Sequence, residues 1–300
     1  MRRKVKRMDQ SDKQGFFVRR SGWVVPPLFA VDVEKVESKV SSMSRERLVE
    51  EYSALKTKAE RIERIGPSRY LVRSEDIYRA ARTGLVAPSM FIPYRRCARS
   101  LVIDLMTVAE LGGVEVSADD LRSFVKGILV HSLYYEKYAE GETEVPVESR
   151  ELGIVGVIDE LREEEGWKVV IEVKSSWRPD IVGAGLQVMS YMLAVSESGS
   201  NKVGGFIVTP GGCFKVYLDR TVLDEYIRRL RKVVEVALSG DRRSLPPRLP
   251  RELEHRCEAC HNKWKCLSLP DEYRSYRRYF TAMGFTKIRE EERRTLEGFA

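Results

Sequence analysis

Residues 153–176 read GIVGVIDELREEEGWKVVIEVKSS, and the fold turns on this stretch. Two apolar runs, Ile154–Ile158 and Val169–Val173, flank a charged centre that contains Gly166. β-Branched residues dominate both runs, which is the composition of strands in a buried hairpin. A turn centred on Glu165 and Gly166 sets Asp159 opposite Glu172, because antiparallel partners keep a constant index sum. Glu172 and Lys174 are two apart and so share one face of their strand. Asp159 joins that face from the neighbouring strand, with Cβ atoms about 5 Å apart.

Two carboxylates held at neighbouring strand ends repel each other, and burial raises the penalty. A divalent cation between them removes it. Hard oxygen ligands from two strands are what Mg2+ or Mn2+ accepts. Lys174 beside such a metal is placed to orient an attacking water or to neutralise charge developing on a phosphate. The plainer alternative is a surface hairpin with solvated charges. The run V-V-I-E-V-K argues against it, since apolar residues fall on both faces, as in a central strand.

Upstream, Ala118-Asp119 opens a helix with an apolar stripe of Leu121, Phe124, Val125, Ile128 and Leu129. His131 lies at the edge of that stripe, one segment before the acidic hairpin, where metal ligation competes with a structural role. Downstream, Ile181–Ser196 reads as a helix with Gln187 and Tyr191 on one face. Polar groups on an apolar helix need partners, either within the core or at the metal site and a DNA phosphate. Val203–Thr209 and Phe214–Leu218 form a second hairpin around Pro210-Gly211-Gly212, with Cys213 in a packing role. Thr221–Leu238 is an amphipathic helix with a basic flank of Arg228, Arg229, Arg231 and Lys232. This order of elements indicates an α/β core around a mixed central sheet. At the N-terminus, residues 1–40 read as irregular, Ser44–Ile65 as a helix, and Ser74 as the cap of a short helix over Asp76–Arg82. The expected division is an extension of unassigned function at 1–85, a helical segment at 86–118, a catalytic core at 119–245 and a cysteine-bearing arm with a charged, aromatic, helical tail at 246–300.

The chain of 300 residues suits one large or two modest domains, and 43% hydrophobic content supports a sizeable core. A net charge of +7 favours an anionic partner, with nucleic acid the first candidate. No apolar run follows the basic N-terminus, and the longest one, Ile181–Val195, is too short to span a bilayer. A soluble, cytoplasmic protein without membrane contact is expected. Five cysteines in such a chain suggest a metal or cluster rather than disulfides. Cys257, Cys260 and Cys266 have the spacing C-x2-C-x5-C, and Cys97, at a helix start, can supply a fourth ligand. His255 or His261 can instead complete a Cys3His zinc site. On spacing alone, zinc and iron–sulfur fit about equally.

Taken in order, His131, G-V-I-D159, I-E172-V-K174 and Q187-V-M-S-Y191 resemble the PD-(D/E)XK restriction-endonuclease-like core of RecB type. With Cys97 and the C-x2-C-x5-C set, residues 88–270 resemble the iron–sulfur branch of that group, and within it the CRISPR-associated Cas four family. The resemblance implies a 4Fe–4S cluster on Cys97, Cys257, Cys260 and Cys266, clipping the C-terminal arm to the helical N-terminal part. It implies a Mg2+- or Mn2+-dependent DNA exonuclease acting on single strands or free ends. In that reading Asp159 and Glu172 ligate the metal with His131 and the Val173 carbonyl, Lys174 serves the nucleophile, and Gln187 and Tyr191 hold the lysine or the phosphate backbone. It also implies action beside the CRISPR integrase proteins Cas one and Cas two on spacer precursors. Ala98 departs from the proline common after the first cysteine, whereas Arg99 fits. A repair nuclease of RecB type and a non-catalytic DNA-binding scaffold with a zinc or iron–sulfur site are the alternatives.

Overall fold

The hairpin of residues 154–173 lies in the middle of a five-stranded sheet. The structure, a computed structural model, describes residues 30–55, 61–66, 69–73, 80–199, 202–249, 253–258 and 260–271. Strands β4 (Glu142–Ser149), β5 (Ile154–Glu164), β6 (Trp167–Val173), β7 (Val203–Thr209) and β8 (Gly212–Val216) follow one another across the sheet. Neighbours are antiparallel except β6 and β7, which are parallel and joined through helix α6 (Ile181–Glu197). This is the mixed α/β architecture expected. The β5–β6 turn places Glu165 at φ 50° and Gly166 at φ 76°, two left-handed residues in succession, which suits the twist of the strands it joins. The ladder from Glu164–Trp167 to Glu160–Ile171 keeps one register, so Asp159 and Glu172 are the next partners in line.

Strand β6 is apolar on both faces. Val169, Ile171 and Val173 pack with Val130 and Tyr134 of helix α5 (Ala118–Lys137) and with Val33 of α1 (Ala30–Ser41). Val170 packs instead into the larger core, with α6 and with helices α3 (Phe91–Arg96), α4 (Ala98–Leu111) and α7 (Arg220–Ser239). Gly205 of β7 lets α6 lie close on the sheet, because a Cβ there would overlap Val188 and Met192. Helix α5 opens with a capping box between Ser117 and Asp120, and the αL residue Gly112 closes α4.

A small antiparallel sheet, β1 (Arg61–Gly66), β2 (Arg69–Arg73) and β3 (Val114–Ser117), forms a third cluster with α1, α5 and α2 (Arg45–Leu55). Residues 30–41 are helical, not irregular, and within the single helix expected over Ser44–Ile65 the described residues form a helix at Arg45–Leu55 and a strand at Arg61–Gly66. Ile62 packs inward while Ile65 is exposed, the alternation of a strand. Strand β4 was not anticipated, and β8 starts at Gly212 rather than Phe214. Ser74 and most of the helix expected over 76–82, and the tail beyond 271, lie outside the described residues.

Candidate active site

The β5–β6 ladder stops one residue short of the acidic pair. Val173 N donates to Asp159 Oδ2 at 2.7 Å, so a carboxylate takes the place of the next strand carbonyl. The β4–β5 register likewise skips the position facing Asp159, where Glu144 adopts φ 54°. Asp159 thus sits at a break in both ladders, with its second oxygen turned to α5. His131 Nδ1 lies 3.3 Å from Asp159 Oδ1, and the Tyr135 hydroxyl donates to the same oxygen at 3.2 Å.

Glu172 is buried, and Lys174 Nζ reaches its Oε1 at 2.6 Å. Lys174 also donates to Gln187 Oε1 at 3.0 Å, and Gln187 Nε2 donates to the Tyr191 hydroxyl at 3.4 Å. The four-residue spacing on α6 therefore makes a relay that ends on the site lysine. Gly156 makes room for it, since a Cβ there would come within 2.9 Å of Tyr191 Cε1. The six expected side chains gather in one site as two hydrogen-bonded sets, His131 with Asp159, and Glu172 with Lys174, Gln187 and Tyr191, which adjoin at the Val173 backbone. Val173 enters it through its backbone, while its side chain is in the core.

The charges explain the protonation states. Burial, then repulsion from Asp159, pushes the Glu172 carboxyl up to about 7 despite the Lys174 ammonium. Burial also disfavours ionised Asp159, but His131, Lys174 and the Val173 N–H outweigh it and hold the carboxyl below its usual range. Burial likewise opposes a charged His131, and the attraction of Asp159 and Glu172 overcomes it, so its pKa is raised. Glu172 Oε2 is buried and has no hydrogen-bond partner among the described residues. An acceptor left this way costs about 1–3 kcal/mol. A cation shared with Asp159 satisfies it, so the donor set suits a hard divalent ion.

Tyr135 was missed from sequence, although it follows His131 by one helical turn. Its ring meets that of His131 edge-on, with centroids 6.0 Å apart. Burial, then the charges of Asp159 and Glu144, push its pKa far up, so it remains a donor.

The cysteines gather at a second place. Cys97 caps α4, its Sγ accepting from Ser100 N at 3.4 Å, and Ser100 Oγ lies 3.7 Å from Cys260 Sγ. Burial, then the nearby thiols of Cys97, Cys260 and Cys266, raise the Cys257 pKa. His261 is already engaged with Asp104, 2.8 Å from Nε2, and His255 is exposed on α8 (His255–Glu258). Among the described residues, no three His, Cys, Asp or Glu side chains close to metal-binding spacing at either place. Also among them, no helix is long and apolar enough to cross a membrane.

A sequence model of the PD-(D/E)XK nuclease superfamily matches residues 94–278, which span the acidic network and all four of these cysteines. No curated protein matches the chain. Among solved structures, the chain is similar to SSO0001, at 17% identity over 78% of this chain and 96% of that one, with a TM-score of 0.37. It is also similar to a protein of Eubacterium rectale provisionally named an exonuclease, at 16% identity over 59% of this chain and 73% of that one, with a TM-score of 0.28.

Proposed function

The chain belongs to the PD-(D/E)XK nuclease superfamily, and we propose that it is a metal-dependent DNA exonuclease of the Cas four kind, acting on single strands or free ends. The observation that carries this reading is the unpaired Oε2 of buried Glu172 beside Asp159 and Lys174. Bound Mg2+ or Mn2+ supplies Lewis acidity there, lowering the pKa of a water and polarising the scissile phosphate. Asp159 and Glu172 hold the ion, with His131 and the Val173 carbonyl as further ligands. Lys174 Nζ, fixed by Gln187 Oε1 and Glu172 Oε1, faces the nucleophile or the phosphate oxygen that gains charge. Tyr191 fixes Gln187 in turn. A 4Fe–4S cluster on Cys97, Cys257, Cys260 and Cys266 is proposed to fasten residues 246–300 to residues 86–118, around the core of 119–245. What supports this is the donor chemistry: Cys257 lies within electrostatic reach of the thiols of Cys97, Cys260 and Cys266, and Ser100 of α4 touches Cys260. The role extends to trimming spacer precursors beside Cas one and Cas two.

The test is digestion of end-labelled single- and double-stranded DNA by anaerobically purified protein, one metal at a time. Stepwise shortening from an end in Mg2+ or Mn2+ is expected, absent in EDTA and in a folded K174A variant. Cleavage by K174A at the wild-type rate, or none by the wild type in any metal, contradicts the reading.

A further inference from the structure

Among the described residues, Arg99 heads the largest fully buried side chains, at 0% exposure, and the acidic network does not use it. It stands in the first turn of α4, two residues after Cys97. Its Nε donates to Cys266 Sγ at 3.2 Å and its Nη1 to the Pro246 carbonyl at 2.8 Å. Nη2 reaches the carbonyls of Cys266, Leu269 and Pro270 at 3.4, 3.2 and 2.7 Å. Every one of these acceptors belongs to the C-terminal arm, so the guanidinium joins the helix of the first cysteine to the short helix of the last, Lys263–Ser268.

A buried cation demands a compensating anion. Carbonyls offer only partial charge. The Asp271 carboxylate lies 3.9 Å from Nη1 and is 28% exposed. Among the described residues, the other atom in contact that can carry a full charge is the Cys266 sulfur, which does so as a metal-bound thiolate.

We propose that Arg99 is the positioning residue of the four-cysteine site. It donates a hydrogen bond to the Cys266 thiolate, offsets its charge, and so ties retention of the metal to docking of the arm. This rests on the reading that the cysteines hold a metal. Independent attachments keep the arm on α4. Buried Asn262 donates to the Ser100 carbonyl at 3.2 Å and to Asp104 Oδ1 at 2.6 Å, and His261 meets the same carboxylate. Replacing Arg99 therefore removes its charge and its donors from Cys266 without removing the arm's other ties.

The experiment compares full-length wild type, R99Q and R99K, purified anaerobically, for metal content, rate of metal loss to a chelator, and reduction potential. A positive charge and a donor at a ligand sulfur favour the reduced, more negative cluster. R99Q should lose its metal at least tenfold faster. Its potential should fall, by 59 mV for each tenfold change in the one-electron equilibrium. R99K keeps the charge but not the fork, and should fall between the two. If R99Q does not fold, faster metal loss from R99K supports the role of Arg99, and loss at the wild-type rate overturns it. A site found to hold zinc is judged by the chelator rates alone. Wild-type protein that retains metal, with loss rates and potential unchanged in the variants, overturns the role of Arg99 alone. Wild-type protein without metal overturns the cysteine reading together with it.

Discussion

At Glu172, one carboxylate oxygen is spent on Lys174 and the other has no donor among the described residues. Burial and Asp159 make this group easier to protonate when folded than when unfolded. A carboxyl whose pKa is raised on folding contributes stability that is complete below the unfolded value and is lost as pH climbs through the folded one. The window runs from the usual carboxylate range, near 4.5, up to about 7. In EDTA, E172Q should therefore melt higher than wild type at pH 8, with the gap closing at pH 5. Thermal melts at the two pH values check this, and an equal gap at both would mean that Glu172 is not strained. The variant should also fail to cleave, since an amide is a poor ligand for a hard ion. Stability gained on its removal is the outcome expected of a functional group rather than a structural one.

At the scale of elements, the site exists because β5, β6, α5 and α6 end or pass at one point. Gly156 is the close approach that lets α6 bring Tyr191 against β5. G156A should push Tyr191 away, free Gln187 and loosen Lys174, costing about 1–3 kcal/mol of stability as overpacked cores do. Cleavage should fall more in kcat than in KM, read by steady-state kinetics on a labelled oligonucleotide, and unchanged kinetics would detach the relay from the lysine. The β5–β6 register was legible because two β-branched runs flank a turn whose glycine fixes the count. Gln187 and Tyr191 were legible from helical spacing. Strand β4 was not, because it lies at the sheet edge with Pro146 in it and partly exposed residues along it, so no clean apolar run marks it. Ile62 fits a helical spacing from Leu55 as well as a strand, and only its pairing with Val72 and packing onto the small-sheet cluster decide. Tyr135 escaped, and Arg99 was noted only as fitting the family pattern, because their partners, Asp159 and the arm of 246–270, are distant in sequence and their pairing is purely tertiary.

Over the whole molecule, the layers divide the work. Helix α5 and α1 cover one face of the sheet and bring His131 and Tyr135. The larger core on the other face carries α6 with Gln187 and Tyr191. The net charge of +7 suits a polyanionic substrate, and the residues matched by the superfamily, 94–278, include the whole of this sheet. The central claim is that Asp159 and Glu172 grip one shared cation. Calorimetric titration of Mn2+ into wild type, D159A and E172A, each first shown to be folded, tests it most directly. One saturable Mn2+ site in the wild type, weakened at least tenfold or lost in both variants, is the predicted result. Undiminished Mn2+ binding by either variant would contradict it.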